Sequence, residues 1–124
     1  MAAEALSVDI IPAENADAIV YRLRGSLDLE TAPSMRAALT EAAAEGKHDL
    51  IVDLSQLEFL DSTGLGTLVG AHRRTLEHNG RLRLIVGTGT IQRLLNITGL
   101  VGVFAVYPSI EAALEGRDRL AAAL

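Results

Sequence analysis

Apolar residues recur along this chain with two alternating periods. Leu6-Ser7-Val8-Asp9-Ile10 alternates apolar and polar positions, as a half-buried strand does. A turn carrying Pro12, Glu14, Asn15 and Asp17 separates it from a second strand, Ala18-Ile19-Val20-Tyr21-Arg22-Leu23, and the two predict a hairpin. Gly25-Ser26-Leu27-Asp28 reads as a loop into a helix that starts near Thr31. Pro33 falls in the first turn of that helix, Met35, Leu39 and Ala42 or Ala43 on its apolar face, and Gly46 at its end. Residues 48–54 form a third strand, apolar enough to be central in a sheet.

A glycine-bearing helix follows, opening at Asp61 or Ser62 and ending at Asn79-Gly80. Leu65, Leu68, Val69, His72 and Leu76 share one helical face. Residues 82–86 read as a fourth strand, 90–97 as a short helix, 103–106 as a fifth strand, and Ser109 opens a C-terminal helix. The order β-β-α-β-α-β-α-β-α predicts an α/β fold. It is a mixed, mostly parallel sheet with helices packed on it and an antiparallel hairpin at its start. No repeat or linker divides the chain, so residues 1–124 read as one domain with a core from about 6 to 114. In such folds the loops at the carboxyl ends of strands carry binding sites, and residues 58–66 are such a loop.

Composition narrows the chemistry. The 124 residues are 49% hydrophobic but only 3% aromatic, which makes the core aliphatic. The absence of cysteine removes disulfides, Cys-ligated zinc and a thiol nucleophile, in keeping with a reducing, cytoplasmic location. A net charge of −5 without a basic stripe argues against direct contact with nucleic acid. No signal peptide is expected from the first residues, and no apolar run is long enough for membrane insertion. Nothing in the pattern assigns an oligomeric state.

The stretch Glu58-Phe59-Leu60-Asp61-Ser62-Thr63-Gly64-Leu65-Gly66 concentrates an acid, two hydroxyls and two glycines at a helix start, with Gly70 one turn further on. The plain structural reading is an N-cap by Asp61 or Ser62. A functional reading gives the glycines work: Gly64 would leave first-turn N–H groups open to a partner or anion, and Gly66 with Gly70 would let the helix lie low on its neighbour. A phosphate-binding loop fails because no lysine follows the glycines, the chain's single lysine being Lys47. An aspartic-protease motif fails because one residue too many separates Asp61 from Gly64. A serine-hydrolase elbow lacks its first glycine, Leu60 standing there. The candidate bases read otherwise: His72 as a packed histidine, and His78 as a residue suited to a helix C-terminus. With His48 included, no group of histidines and acids has metal-ligand spacing. Neither catalysis, a metal nor a cofactor is expected.

The run from Asp53 to Gly66, with its Asp-Ser-Thr-Gly-Leu-Gly core, resembles the signature of STAS domains, and within them the bacterial anti-anti-sigma factors, or anti-sigma factor antagonists. Gly25-Ser26-Leu27-Asp28-Leu29-Glu30-Thr31-Ala32-Pro33 is similar to the family's loop into its first helix, and Arg93 to Leu100 to its third helix and following turn. The resemblance spans about residues 6–114. It implies a phosphorylation-controlled binding protein: Ser62 is the residue phosphorylated by a partner that is both anti-sigma factor and serine kinase, and Thr63 is the less favoured acceptor. The unmodified form binds the kinase and releases a sigma factor; a PP2C-type phosphatase restores it. Asp28, Asp61, Ser62, Thr63, Gly64, Leu65 and Gly66 are the partner-binding positions so implied. Where the family's loop carries an acid this chain has Ser26, which implies an altered partner contact. Other STAS domains act as constitutive subunits of transport ATPases or as stress-signalling scaffolds, without a phosphorylation cycle.

Overall fold

The computed structural model describes residues 5–13, 17–87, 89–100 and 102–116. Five strands form one sheet in the order β1-β2-β3-β4-β5: β1 (Ser7–Pro12), β2 (Ile19–Leu27), β3 (Asp49–Leu60), β4 (Arg81–Ile85) and β5 (Ala105–Tyr107). β1 runs antiparallel to β2 and every other neighbour is parallel. The helices are α1 (Ala32–Ala44), α2 (Ser62–Glu77), α3 (Thr90–Ile97) and α4 (Ile110–Glu115), in the predicted order. The expected turn residues Glu14 and Asn15 lie outside the described residues.

Side chains alternate across β3 and divide the core in two. Leu50, Val52 and Leu54 join Met35 and Leu39 of α1, Leu68 of α2 and Leu95 of α3 on one face. Ile51 joins Val20, Ile85, Tyr107 and Ala112 of α4 on the other. Arg83 of β4 is buried on that second face. It donates to the Ala113 carbonyl at 2.7 Å and to Asp49 at 2.8 Å, and so ties α4 to the sheet. A buried guanidinium needs such partners, because an unpaired buried charge costs several kcal/mol.

Two strands run further than their sequence suggests. Gly25, Ser26 and Leu27 continue β2 instead of forming a loop, and residues 55–60 continue β3 instead of a loop, leaving Asp61 alone between β3 and α2. The reason is irregular pairing. The β2–β3 register shifts between Arg22 and Arg24 and again between Gly25 and Ser26. The Ser55 N–H turns to the Asp53 carboxylate at 2.9 Å. Ser55 and Gln56 are then both exposed, so the alternation that marks a strand is lost while the strand is kept. Gly25, at φ +89°, sits where a Cβ would collide with the Ala5 carbonyl.

The buried stripe of α2 also differs from the predicted face. It comprises Gly64, Leu65, Thr67, Leu68, Ala71 and Thr75, whereas Leu76 is 55% exposed. Two threonines and a glycine do the packing, which moves the true centre of the face roughly a quarter-turn from the one that hydrophobicity marks. His72 is half-buried against Phe104, ring centroids 5.1 Å apart, and burial lowers its pKa; it is a packed histidine. His78 ends α2, its Nδ1 2.9 Å from the Arg74 carbonyl, and stacks on His48 at 4.2 Å.

Candidate functional site

The carboxyl ends of β2 and β3 lie side by side, Leu27 opposite Leu60, and each leads into a helix. The turn into α1 is built by Asp28, only 8% exposed. Its Oδ1 accepts from the N–H groups of Glu30 and Thr31, both at 3.0 Å. The Thr31 hydroxyl accepts from the Asp28 N–H at 2.9 Å and donates to the Ser26 carbonyl at 2.8 Å. This is the local side-chain bonding that aspartate and threonine offer at helix starts. Asp28 therefore shapes the turn from within, and the surface it presents is the turn itself. Ser26, in β2 and buried, holds the same turn through its carbonyl.

Asp61 joins the two segments. Its Oδ1 accepts from the Gly64 N–H at 2.8 Å, capping α2, while Oδ2 accepts from the Leu29 N–H at 3.0 Å, reaching across to the β2–α1 turn. The Asp61 N–H donates to the Leu27 carbonyl at 3.2 Å. One carboxylate thus fixes Leu29 and the start of α2 to each other.

The glycines work differently from their sequence reading. Gly64 does not open N–H groups to a visitor, since Asp61 already takes its N–H. A Cβ at Gly64 would collide with the Leu27 carbonyl oxygen and lie 2.8 Å from the Leu27 Cγ, so it is Gly64 that lets α2 sit low on β2. Gly66 and Gly70 are exposed, and a Cβ on either would meet nothing within 4 Å. They do not mediate close packing of α2. Leu65 points into the core.

Ser62 is exposed as the first residue of α2, directly after the cap. Thr63 is half-buried, and its carbonyl accepts from the Thr67 hydroxyl at 3.2 Å. Two apolar side chains that sequence reasoning did not single out are exposed in the segments leading to this turn: Leu29, 70% exposed, whose N–H bonds Asp61, and Phe59, 52% exposed, near the end of β3. A signal was present for the first, since Asp28 and Thr31 at i and i+3 define a turn whose tip is Leu29-Glu30. Among the described residues no group of three or more His, Asp or Glu could hold a metal, and no helix is long and apolar enough to cross a membrane.

The bridging role of Asp61 gives a first prediction. Asp61→Ala removes a cap and a second hydrogen bond and should cost about 1.5–3 kcal/mol. Asp61→Asn, with one acceptor oxygen for two donors, should cost about half as much. Urea unfolding measures both. Amide exchange at Leu29 should accelerate in the alanine variant, and unchanged protection there would mean the bridge does not hold the turn.

The sequence profile of the STAS domain matches residues 9–113, and the chain belongs to that family. Over 90 residues it is 33% identical to an anti-sigma-B factor antagonist of Staphylococcus epidermidis, covering 73% of this chain and 83% of that one. The crystal structure of an anti-sigma factor antagonist from Mycobacterium paratuberculosis superposes with a TM-score of 0.80 at 26% identity, covering 90% of this chain and 93% of the other. The Bacillus cell fate determinant SpoIIAA in its phosphorylated form superposes with a TM-score of 0.69 at 25% identity, covering 90% and 100%.

Proposed function

We propose that this protein is an anti-sigma factor antagonist switched by phosphorylation of Ser62. The observation that carries the reading is the placement of Ser62: an exposed hydroxyl on the first turn of α2, next to a cap whose carboxylate is already engaged. A kinase can reach it without unfolding anything. The unphosphorylated form binds a partner that is both anti-sigma factor and serine kinase, through the turn at Asp28 and Leu29 and the start of α2, and a sigma factor is released. A PP2C-type phosphatase resets the cycle in the cytoplasm. The relatives named as anti-sigma factor antagonists, and the related domain recorded in a phosphorylated form, support this reading.

The test is an intact mass after incubation with host-cell lysate and ATP, followed by site mapping, with Ser62→Ala in parallel. One added phosphate on Ser62, absent from the variant, is the expected result. No phosphate in a lysate with active kinases and inhibited phosphatases would overturn the switch and favour a constitutive binding subunit.

A further inference from the structure

The two faces of the sheet are covered unequally. α1, α2 and α3 pack on the first face; on the second, among the described residues, only α4 packs, over β3, β4 and β5. Beside α4 the second face of β1 and β2 is left as an apolar groove. Buried Val20 forms its floor, Ile11 and Pro12 one wall, and Ile110 and Leu114 of α4 the other. Ile11 is 39% and Leu114 36% exposed. Arg22 also lines the groove, its charge turned to Asp53 at 3.5 Å. Large apolar side chains gathered at one exposed place mark a docking surface.

The chain itself supplies a matching segment at the groove's own wall. Gly116, two residues after Leu114, ends α4 in the left-handed conformation (φ +69°) that turns a chain off its helix axis. Residues 117–124 follow at that point and lie outside the described residues; they read Arg117-Asp118-Arg119-Leu120-Ala121-Ala122-Ala123-Leu124. Charged residues come first and an unbroken apolar run after them. Leu120 and Leu124 are four apart, a spacing that puts both on one side of a helix and equally on one side of an extended strand. Eight residues reach about 12 Å as a helix and about 26 Å when extended, against about 6 Å from Ile110 to Leu114. Either conformation is long enough to return along the groove. The charges agree as well. Glu111 lines the groove, exposed and with no salt bridge to a described residue, and Arg117 and Arg119 lead the segment.

We propose that the occupant of this groove is the chain's own segment of residues 117–124. Leu120 and Leu124 seat between Ile11 and Leu114, with an arginine beside Glu111. The segment completes the second face of the sheet and takes Ile11 out of water. It lies across the sheet from α2, so the proposal does not rest on the phosphorylation of Ser62.

The chain has no cysteine, so Ala121→Cys gives one attachment point for a nitroxide in the otherwise complete protein. Amide spectra of the isotope-labelled, spin-labelled chain test the contact, with circular dichroism to verify folding. The amides of Ile11, Ala13 and Arg22 should lose most of their intensity, while those of Thr40 and Gly70, on the α1–α2 side, should keep theirs. Leu120→Ser with Leu124→Ser, added to the spin-labelled chain, should restore the Ile11, Ala13 and Arg22 signals. The same pair of substitutions should speed amide exchange in β1 about tenfold. Isotope-labelled chain without the nitroxide, mixed with nitroxide-bearing chain without the isotope, reads contact between copies and should show no broadening. No selective broadening, or broadening that survives the serine substitutions, would overturn the proposal. Broadening that passes between chains in the mixture would overturn it too, making the occupant a neighbouring copy's segment.

Discussion

Gly64→Ala is expected to destabilise the domain by roughly 2–3 kcal/mol, while Gly66→Ala and Gly70→Ala in the same helix stabilise it by about 0.5–1 kcal/mol each. All three add one methyl group to a helical position and all three raise helix propensity. They differ in what the methyl meets. At Gly64 it lies against backbone and side chain of Leu27, including Cγ at 2.8 Å and the carbonyl carbon at 2.9 Å. A backbone neighbour in a paired strand cannot turn aside as a flexible side chain would. Either α2 lifts from β2, stretching the bonds of Asp61 to Gly64 and Leu29, or β2 bends where it pairs with Leu60. At Gly66 and Gly70 the methyl enters open space, and neither residue has the positive φ that would disfavour alanine. Urea midpoints for the three variants against wild type decide the matter. Equal shifts at all three positions would mean that the approach of α2 to β2 does not depend on Gly64.

That contrast also shows where sequence was informative. The order of nine elements was legible because the helices and most strands carry a recognisable apolar period, even in α2 where it marks a face away from the buried one, and α3 begins and ends where its pattern does. Asp61 and Ser62 were legible as cap candidates because carboxylates and hydroxyls suit a helix start, whereas Asp28 as a partner-binding position came only from the resemblance to STAS domains. The roles of the glycines were not, because glycine leaves the same mark whether it admits a neighbour or exposes a surface. Only the position of Leu27, 37 residues earlier in the chain, separates Gly64 from Gly66. The extensions of β2 and β3 were hidden for a different reason. The register shifts that let these strands reach the site also destroy the two-residue period by which a strand is recognised. Phe59 emerges on the surface through that irregularity, which leaves an exposed aromatic side chain near the end of β3 that no simple alternation marks.

Ser62→Asp should leave the fold intact and cut affinity for the kinase partner several hundredfold, whereas Ser62→Ala should bind within about threefold of wild type. The first half follows from position. A negative group at the first turn of α2 sits at the positive end of the helix dipole, which favours it by ~0.3–1 kcal/mol. Phosphate itself brings about −1.5 to −2 charge, and aspartate imitates only part of it. The second half follows from what surrounds the hydroxyl. Leu29 is an exposed apolar group on the turn that Asp61 bonds to, and a partner that covers it together with the start of α2 must expel water from around Ser62. A carboxylate placed there loses its hydration next to Asp61, whose own carboxylate is held in place by two N–H donors and cannot swing away. A loss of ~3–4 kcal/mol corresponds to a few hundredfold in dissociation constant. Thr63→Asp offers the comparison that locates the effect, because Thr63 is half-buried at the same helix end. There the charge should cost stability as well as binding, and the unfolding midpoint should fall with the affinity. Titration calorimetry with the kinase recovered on unphosphorylated protein measures the affinities. If Ser62→Asp bound as tightly as wild type while remaining folded, charge at this turn would not be the switch.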